Sequence, residues 1–208
     1  MKVLITGGSG ALGKSLTRIF KNAFCPTHKE MDVTNPDSVN KIILKYKPNT
    51  LIHAAALVGI RECEENKQTA WLVNVEGTQN ILDSLKKLDN NCYIVYMSTA
   101  CVFEGENEKY YAEDDIPSPK NYYSLTKLCA ELITRQYKNT CIIRTNFVPK
   151  QQWKYPKAFI DRFGTYLFSD NVAQGISDVC KEKKKGVIHI AGDKRMSMYE
   201  LAVLAGSK

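Results

Sequence analysis

Apolar residues along the chain alternate between short runs typical of buried strands and longer stretches with helical spacing. Strands are predicted at 2–6, 50–54, 93–97, 140–144 and 186–190, with a compressed strand somewhere within 24–31. Helices are predicted at 11–22, 35–46, 66–88, 121–137, 170–180 and 198–205. The pattern is regular up to about residue 148 and weaker beyond it.

Strands that alternate with helices indicate a mostly parallel sheet covered on both faces. The predicted fold class is therefore α/β, a Rossmann-like doubly wound parallel sheet with a reduced C-terminal substrate lobe. Residues 1–148 are predicted to form the dinucleotide-binding domain. Residues 149–208 are predicted to form a small, shortened substrate-binding region, which need not be a separate domain.

Composition excludes several classes of protein. The 208 residues are 44% hydrophobic and 25% charged, which is typical of a globular chain. The seven cysteines form no C-x-x-C pair, so neither a disulfide framework nor a metal site is expected, and a reducing cytoplasmic location is predicted. No apolar run reaches the roughly 18 residues of a membrane span, and the first residues lack a signal-peptide core.

The net charge of +7 is compatible with an anionic partner. No basic stripe interleaved with aromatic residues accompanies it, so nucleic acid is not an expected partner. The alternative is that the basic residues simply form a solvated surface.

A glycine loop between the first strand and the first helix points to a dinucleotide. Residues 6–13 read Thr-Gly-Gly-Ser-Gly-Ala-Leu-Gly, with glycines at the positions that a tight turn and close packing require. The N-terminus of the following helix offers N–H groups to a pyrophosphate. The cofactor-binding residues expected in this loop are Gly7, Ser9, Gly10, Ala11, Leu12 and Gly13.

The end of the second strand bears on the choice between NAD(H) and NADP(H). It carries no acidic residue for a ribose 2′-hydroxyl, and Asp32 lies beyond it, nearer to an adenine. Lys14, Arg18, His28 and Lys29 can offer positive charge to a 2′-phosphate. The sequence therefore weakly favours NADP(H) over NAD(H), although all four can also be ordinary surface cations.

Tyr123 and Lys127 are the candidate proton-transfer pair. They are four residues apart on one predicted helix and so share a face. A nearby ammonium lowers the pKa of a phenol, which predicts an activated Tyr123. Thr99, with Ser98, ends the preceding strand and can hydrogen-bond the same carbonyl oxygen. Tyr122 is the competing tyrosine and points elsewhere on the helix.

These motifs occur in an order that resembles the extended short-chain dehydrogenase/reductase family. More narrowly, the chain resembles its dTDP-4-dehydrorhamnose reductase-like, sugar-nucleotide-modifying members. The resemblance covers about residues 1–148 and returns weakly at 186–204. The segments that carry it are 53–56, 61–64, 74–78, 97–99, 102–105, 119–121 and 144–145, beside the glycine loop and Tyr-x-x-x-Lys.

The resemblance implies a role for each matching residue. It implies reduction of the C4 ketone of a nucleotide-linked 4-keto-6-deoxy sugar, with hydride from the nicotinamide and the proton from Tyr123. Thr99, Tyr123 and Lys127 match the catalytic set, and Tyr123 and Lys127 also contact the cofactor. Further implied contacts are Asp32 and Val33 near the adenine, Ala54, Ala55 and Ala56 beneath the cofactor, and Thr99 and Phe147 at the sugar.

Three features depart from the family pattern. Ala100 stands where reductases carry aspartate and where sugar dehydratases need an acidic pair, so dehydration is not expected. Cys101 lies one position later than the catalytic cysteine of some relatives and is interpreted as a packing residue. The segment 149–169 is short, so either the sugar pocket is minimal, or a partner completes it, or catalysis has been lost. The sequence also ends at residue 208 where relatives continue, which is compatible with truncation.

Two alternatives stay open. An epimerase would need a second acid–base residue, for which His189 and Cys101 are the candidates; His53 is interpreted as structural or close to the cofactor. A non-catalytic regulatory subunit, similar to the one that accompanies methionine adenosyltransferase, would fit the shortened lobe. The resemblance also implies a homodimer formed through the helices of residues 66–88 and 121–137.

Overall fold

A computed structural model describes residues 2–88, 91–105, 110–151, 153 and 157–206. Its strands are β1 Val3–Thr6, β2 Thr50–His53, β3 Tyr93–Met97, β4 Thr140–Thr145, β5 Phe147–Val148, β6 Phe163–Gly164, β7 Leu167–Phe168, β8 Gly186–Ile190 and β9 Met196–Ser197. Its α-helices are α1 Ala11–Ile19, α2 Pro36–Tyr46, α3 Ile60–Glu65, α4 Lys67–Trp71, α5 Gly77–Lys86, α6 Tyr122–Thr134, α7 Ser169–Glu182 and α8 Met198–Leu204. No helix in this part of the chain is long and apolar enough to cross a membrane.

The central sheet has five parallel strands in the order β1-β2-β3-β4-β8. Alternate residues of each strand face opposite sides, so β1 sends Val3 and Ile5 into one core and Leu4 into the other. Helices α1 and α7 cover the first side, and α2 and α5 cover the second. The predicted α/β fold with a doubly wound parallel sheet is confirmed.

The compressed strand predicted within 24–31 is a single parallel bridge between Phe24 and Leu4. Its two hydrogen bonds join the Phe24 backbone to Val3 and Ile5, on the edge of β1 opposite β2. After β1 the chain first runs along one edge of that strand, at Phe24, and then returns along the opposite edge as β2. This reversal places the crevice of an open α/β sheet beyond the carboxyl ends of β1 and β2.

The prediction of one continuous helix over residues 66–88 is wrong. This stretch consists of α4, a π-helical segment Leu72–Glu76 and α5. The wider turn accompanies the burial of Asn74 and Val75 against the rest of the domain, and such segments are common at functional sites. Helix α3 was not predicted, because its six residues bury only Cys63 and show no clear helical period.

The region after residue 148 contributes to the main sheet as well as to a smaller layer. Helix α7 packs on α1, and β8 pairs with β4 along its whole length. The remaining pieces form two small sheets, β5 with β7 and β6 with β9. The predicted boundary at 148 therefore does not mark a break in the main sheet.

The close packing of α1 against the glycine loop gives a test of the fold. A Cβ atom on Gly13 would lie 2.6 Å from the Gly8 Cα and nearer still to the Gly7 carbonyl oxygen. Because backbone cannot yield as a side chain does, Gly13→Ala should lower the free energy of unfolding by about 1–3 kcal/mol in urea titrations. Gly175→Ala is the matched control, since its Cβ meets only side-chain atoms of Ile190, at 3.1 Å or more. Equal values for the two variants would contradict this account.

Candidate functional site

The cofactor cleft, of about 790 Å³, lies at the carboxyl ends of β1 and β2. Gly7 adopts φ +73°, and a Cβ there would lie 2.7 Å from the backbone of Ala54 and Ala55. Gly10 precedes α1 with no side chain capping the helix, which leaves the helix N-terminus facing the cleft. This glycine cradle fits the pyrophosphate of a dinucleotide, because backbone N–H groups can approach it without obstruction.

The floor of the cleft is held by a buried chain of hydrogen bonds through His53. Thr78 donates to the Asn74 carbonyl at 2.7 Å, so its oxygen accepts from His53 Nε2 at 3.1 Å. His53 Nδ1 is then an acceptor for the Thr6 hydroxyl at 2.7 Å, and Thr6 in turn accepts from the Ala55 N–H at 3.1 Å. Both ring nitrogens are occupied within the protein, which supports a structural role for His53.

The π-helical segment completes this floor. The Asn74 amide oxygen accepts from the Leu57 N–H at 2.8 Å, and its nitrogen donates to the Leu57 carbonyl at 3.0 Å and to Thr126 at 3.0 Å. One side chain therefore fixes the loop after β2 and ties it to α6. The predicted contacts Ala54, Ala55 and Ala56 line the cleft in this loop.

The four cations predicted to attract a 2′-phosphate differ in whether they line the cleft at the end where the adenine is expected. His28, Asp32 and Val33 line it, whereas Lys14 and Lys29 are missing from its described lining. The Asp32 carboxylate accepts from the Thr34 N–H and hydroxyl at 2.9 and 2.8 Å, so it is committed to a turn. Arg18 is paired with Asp170 at 2.5 Å on the neighbouring helix α7. Of the four cations considered for a 2′-phosphate, His28 is the one on the cleft wall.

Thr99, Tyr123 and Lys127 all line the same cleft. Thr99 follows β3, and its oxygen accepts from the Cys101 N–H at 3.1 Å. Tyr123 lies in the first turn of α6, where Asn121 caps the helix through the Ser124 N–H at 2.9 Å. The predicted trio is thus brought together by the ends of β3 and α6.

Tyr122, the competing tyrosine, faces away from this site. Its N–H donates to Glu64 at 2.8 Å, and its ring lies beneath Lys67. It is not among the described residues that line either cavity.

Burial dominates the protonation of the pair, which corrects the sequence expectation for Tyr123. Its pKa is raised well above the usual value by burial and by the nearby Cys101, against a smaller lowering by a hydrogen bond from Thr99. Burial also lowers the pKa of Lys127 to about 7, which Glu131 partly opposes. Lys127 lies 4.4 Å above the Tyr96 ring. Tyr123 is therefore protonated at neutral pH, as a proton donor must be.

A second cavity, of about 760 Å³, adjoins the cleft. Cys101, Thr145, Asn146 and Arg162 line both. The second cavity is otherwise lined largely by aromatic and charged residues, among them Phe103, Tyr110, Tyr111, Glu113, Arg144, Phe163, Tyr166, His189 and Arg195. The sequence missed most of these because they come from β4, β6, β8 and irregular segments distant in sequence, with no local motif to mark them.

Two interpretations from the sequence change at this junction. Cys101 is half-buried and lines both cavities, so it is not a core packing residue. Phe147 lines the cofactor cleft rather than the second cavity. Its position beside Thr145 and Asn146 still places it at the cleft end where the two cavities meet.

Comparison with known proteins assigns the family. A family described as the RmlD substrate binding domain matches residues 1–206, and the chain belongs to it. This match over residues 1–206 confirms the resemblance that the glycine loop and the Tyr-x-x-x-Lys pair indicated.

Individual relatives agree with this assignment. A GDP-6-deoxy-D-talose 4-dehydrogenase of Aggregatibacter actinomycetemcomitans is 37% identical over 145 residues, 66% of this chain and 49% of that protein. A dTDP-4-dehydrorhamnose reductase of the same organism is 29% identical over 229 residues, 97% of this chain and 77% of that protein. The chain thus spans about half of the first relative and about three quarters of the second.

A solved structure and one further relative extend the comparison. A dTDP-4-dehydrorhamnose reductase from Clostridium acetobutylicum superposes with a TM-score of 0.88 at 29% identity, covering 99% of this chain and 79% of that one. The methionine adenosyltransferase 2 subunit beta of Bos taurus is 26% identical over 242 residues, 97% of this chain and 70% of that protein. Enzymes and a named subunit therefore share this framework.

The buried His53 predicts a pH dependence of stability. Burial, with a smaller contribution from Lys127, lowers the pKa of His53 to about 3, whereas an unfolded histidine binds a proton below about pH 6.5. The free energy of unfolding should therefore fall by up to about 1.4 kcal/mol per pH unit below pH 6.5. His53→Asn should show a shallower decline between pH 6.5 and 4.5 in urea titrations. An unchanged slope in this variant would refute the assignment of His53 as the proton-excluding group.

Proposed function

We propose that the chain catalyses the NAD(P)H-dependent reduction of the C4 ketone of a nucleotide-linked 4-keto-6-deoxy sugar. The observation that carries the proposal is that the cleft lined by the proposed catalytic trio meets a second cavity beside Cys101. The glycine cradle lies at one end of the cleft, Thr99 and Tyr123 line it, and the second cavity opens beside Cys101. The names of the reductases among the relatives support the same chemistry.

Three residues of the protein have different roles in the proposed proton transfer. The reduced nicotinamide, when bound, supplies the hydride that is added to the ketone carbon. Tyr123, kept protonated by burial, donates a proton to the ketone oxygen, and Thr99 can hydrogen-bond the same oxygen. Lys127, one turn along α6, offers an ammonium group that stabilises the phenolate that Tyr123 becomes.

The second cavity suits a sugar joined to a nucleotide diphosphate. Arg162 and Arg195 line it and form no ion pair with any other residue that the structure describes. Guanidinium groups of this kind bind phosphate oxygens in pairs of hydrogen bonds. The Arg195 guanidinium also stacks 4.5 Å from the Phe163 ring, an arrangement that holds it at the cavity wall.

Replacing the proposed proton donor tests the reaction. Tyr123→Phe removes the hydroxyl and should lower kcat by about 10²–10⁴-fold while leaving cofactor binding nearly unchanged. The measurement is oxidation of NADPH and of NADH with dTDP-4-keto-6-deoxyglucose, alongside the GDP-linked 4-keto-6-deoxy sugar.

Tyr122→Phe is the matched control, because it deletes the same group one residue away and outside both cavities. This variant should keep native turnover. If the native chain binds NADPH but reduces neither sugar, the reductase proposal fails for these substrates. The similarity to the methionine adenosyltransferase subunit would then favour a non-catalytic, NADP-binding regulatory role.

We further propose that the chain prefers NADP(H) to NAD(H), with His28 as the residue that recognises the 2′-phosphate. His28 is exposed at the adenine end of the cleft and can donate an N–H to a phosphate oxygen. The segment Thr27-His28-Lys29 beside it contains no carboxylate that could accept from a ribose 2′-hydroxyl. These two observations favour the phosphorylated cofactor.

Substitution of His28 tests this preference. His28→Ala should lower the ratio of kcat/KM for NADPH to that for NADH by about five- to tenfold, the value of one hydrogen bond of roughly 1–1.4 kcal/mol. Lys29→Ala is the control, since Lys29 carries charge next in sequence but does not line the cleft. A larger effect from Lys29→Ala than from His28→Ala would transfer the role to the lysine.

A further inference from the structure

A buried carboxylate lies directly behind the catalytic trio. Glu131, on α6, accepts hydrogen bonds from the Ser98 hydroxyl and from Arg144, with Nε–Oε1 and Nη2–Oε2 distances of 3.1 and 2.9 Å. The side chains of Glu131 and Arg144 are 0% and 1% exposed. Removing one partner from a buried pair of this kind leaves an uncompensated charge, so both must act together.

This cluster joins the three elements that carry the site. Thr99 directly follows Ser98 at the end of β3, and Thr145 directly follows Arg144 at the end of β4. Lys127 lies one helical turn before the carboxylate on α6. The hydrogen bonds to the carboxylate therefore fix the two strand ends and the helix at the distances that bring the trio together.

The carboxylate also interacts with two cations. Arg144 is hydrogen-bonded to Glu131, and the charge of Glu131 raises the pKa of Lys127 against the lowering caused by burial. Arg144 is held on its other sides by the Glu113 carbonyl at 3.3 Å and by the Phe103 ring at 5.0 Å. The positive charge of Arg144 therefore stays beside Glu131, the carboxylate that raises the pKa of Lys127.

Three further titratable side chains of the described residues, His53, Tyr96 and Tyr123, lie near Lys127 and are uncharged at neutral pH. Burial keeps His53 of β2 neutral, since its pKa is lowered to about 3. Tyr96 of β3 and Tyr123 of α6 are both protonated, because burial raises their pKa values. The charge of Lys127 is thus balanced chiefly by the carboxylate that Arg144 shares.

We propose that Glu131 is the positioning residue of this site. It fixes α6 against the ends of β3 and β4, and it places one buried carboxylate next to Arg144 and one helical turn from Lys127. Deleting the carboxylate should therefore lower the pKa of Lys127, whereas deleting the guanidinium should raise it. The consequence for turnover rests on the proposed function, whereas the effect on Lys127 itself does not.

The direct test is the titration of Lys127 in the protein alone. Lysines are labelled with ¹³C at Cε, and the signal that titrates near neutral pH is assigned by its absence from Lys127→Met. Glu131→Gln should lower the pKa of Lys127 by about one unit or more, and Arg144→Met, which removes a positive charge beside the same carboxylate, should raise it by a smaller amount. The Glu131→Gln, Arg144→Met double variant should give an intermediate value.

The double variant keeps the test decisive if Glu131→Gln alone fails to fold, because it removes both buried charges together. Glu182→Gln, at an exposed ion pair with Lys184 at the end of α7, is the matched control and should leave the Lys127 titration unchanged. If the pKa of Lys127 is the same in the native chain, in both single variants and in the double variant, the proposal is wrong. No substrate or cofactor is present, so failure of the reductase proposal would not affect this result.

In an active enzyme, the pH profile gives the second measurement. The alkaline limb of kcat/KM should move to lower pH in Glu131→Gln and to higher pH in Arg144→Met. If Glu131 had a purely structural role, both variants would lose activity, but the alkaline limbs of their pH profiles would stay at the same pH.

Discussion

The close approach of the glycine loop to the backbone after β2 is the constraint on which the rest of the site depends. At Gly7 and Gly13 the neighbouring atoms are backbone, so no side chain can be accommodated by a rotamer change. This contact draws the N-terminus of α1 and the loop of residues 54–57 to the two sides of one cleft. The reversal of chain direction at β1 leaves that cleft open at the carboxyl ends of the strands.

Buried polar groups then determine what the cleft can do. Three that support the cleft are paired within the protein: His53 with two threonines, Asn74 with the Leu57 backbone, and Glu131 with Ser98 and Arg144. Because unpaired polar groups are costly in such an interior, these bonds hold the loop, the π-helical segment and α6 in one arrangement. Burial also decides protonation, since it keeps Tyr123 protonated and brings the pKa of Lys127 near neutrality.

Local patterns were sufficient for the parts of the fold whose signals lie within a few residues. The alternation of apolar runs predicted the five strands of the main sheet, and the glycine spacing predicted the cleft. Two local predictions failed for a physical reason. The second strand is reduced to the Phe24 bridge, and helix 66–88 contains a π-helical turn, because packing against Val3–Thr6 and the loop near Leu57 overrides the local pattern.

By itself, the sequence determined the class of fold, the glycine cradle and the spacing of Tyr123 and Lys127, since each depends on residues close together in the chain. Only the tertiary structure decided which cations reach the cleft, that Cys101 lies at the junction of two cavities, and which residues form the second cavity. It also decided the protonation of Tyr123, which runs opposite to the expectation from an adjacent ammonium. These properties depend on burial and on contacts between segments distant in sequence, which no local pattern records.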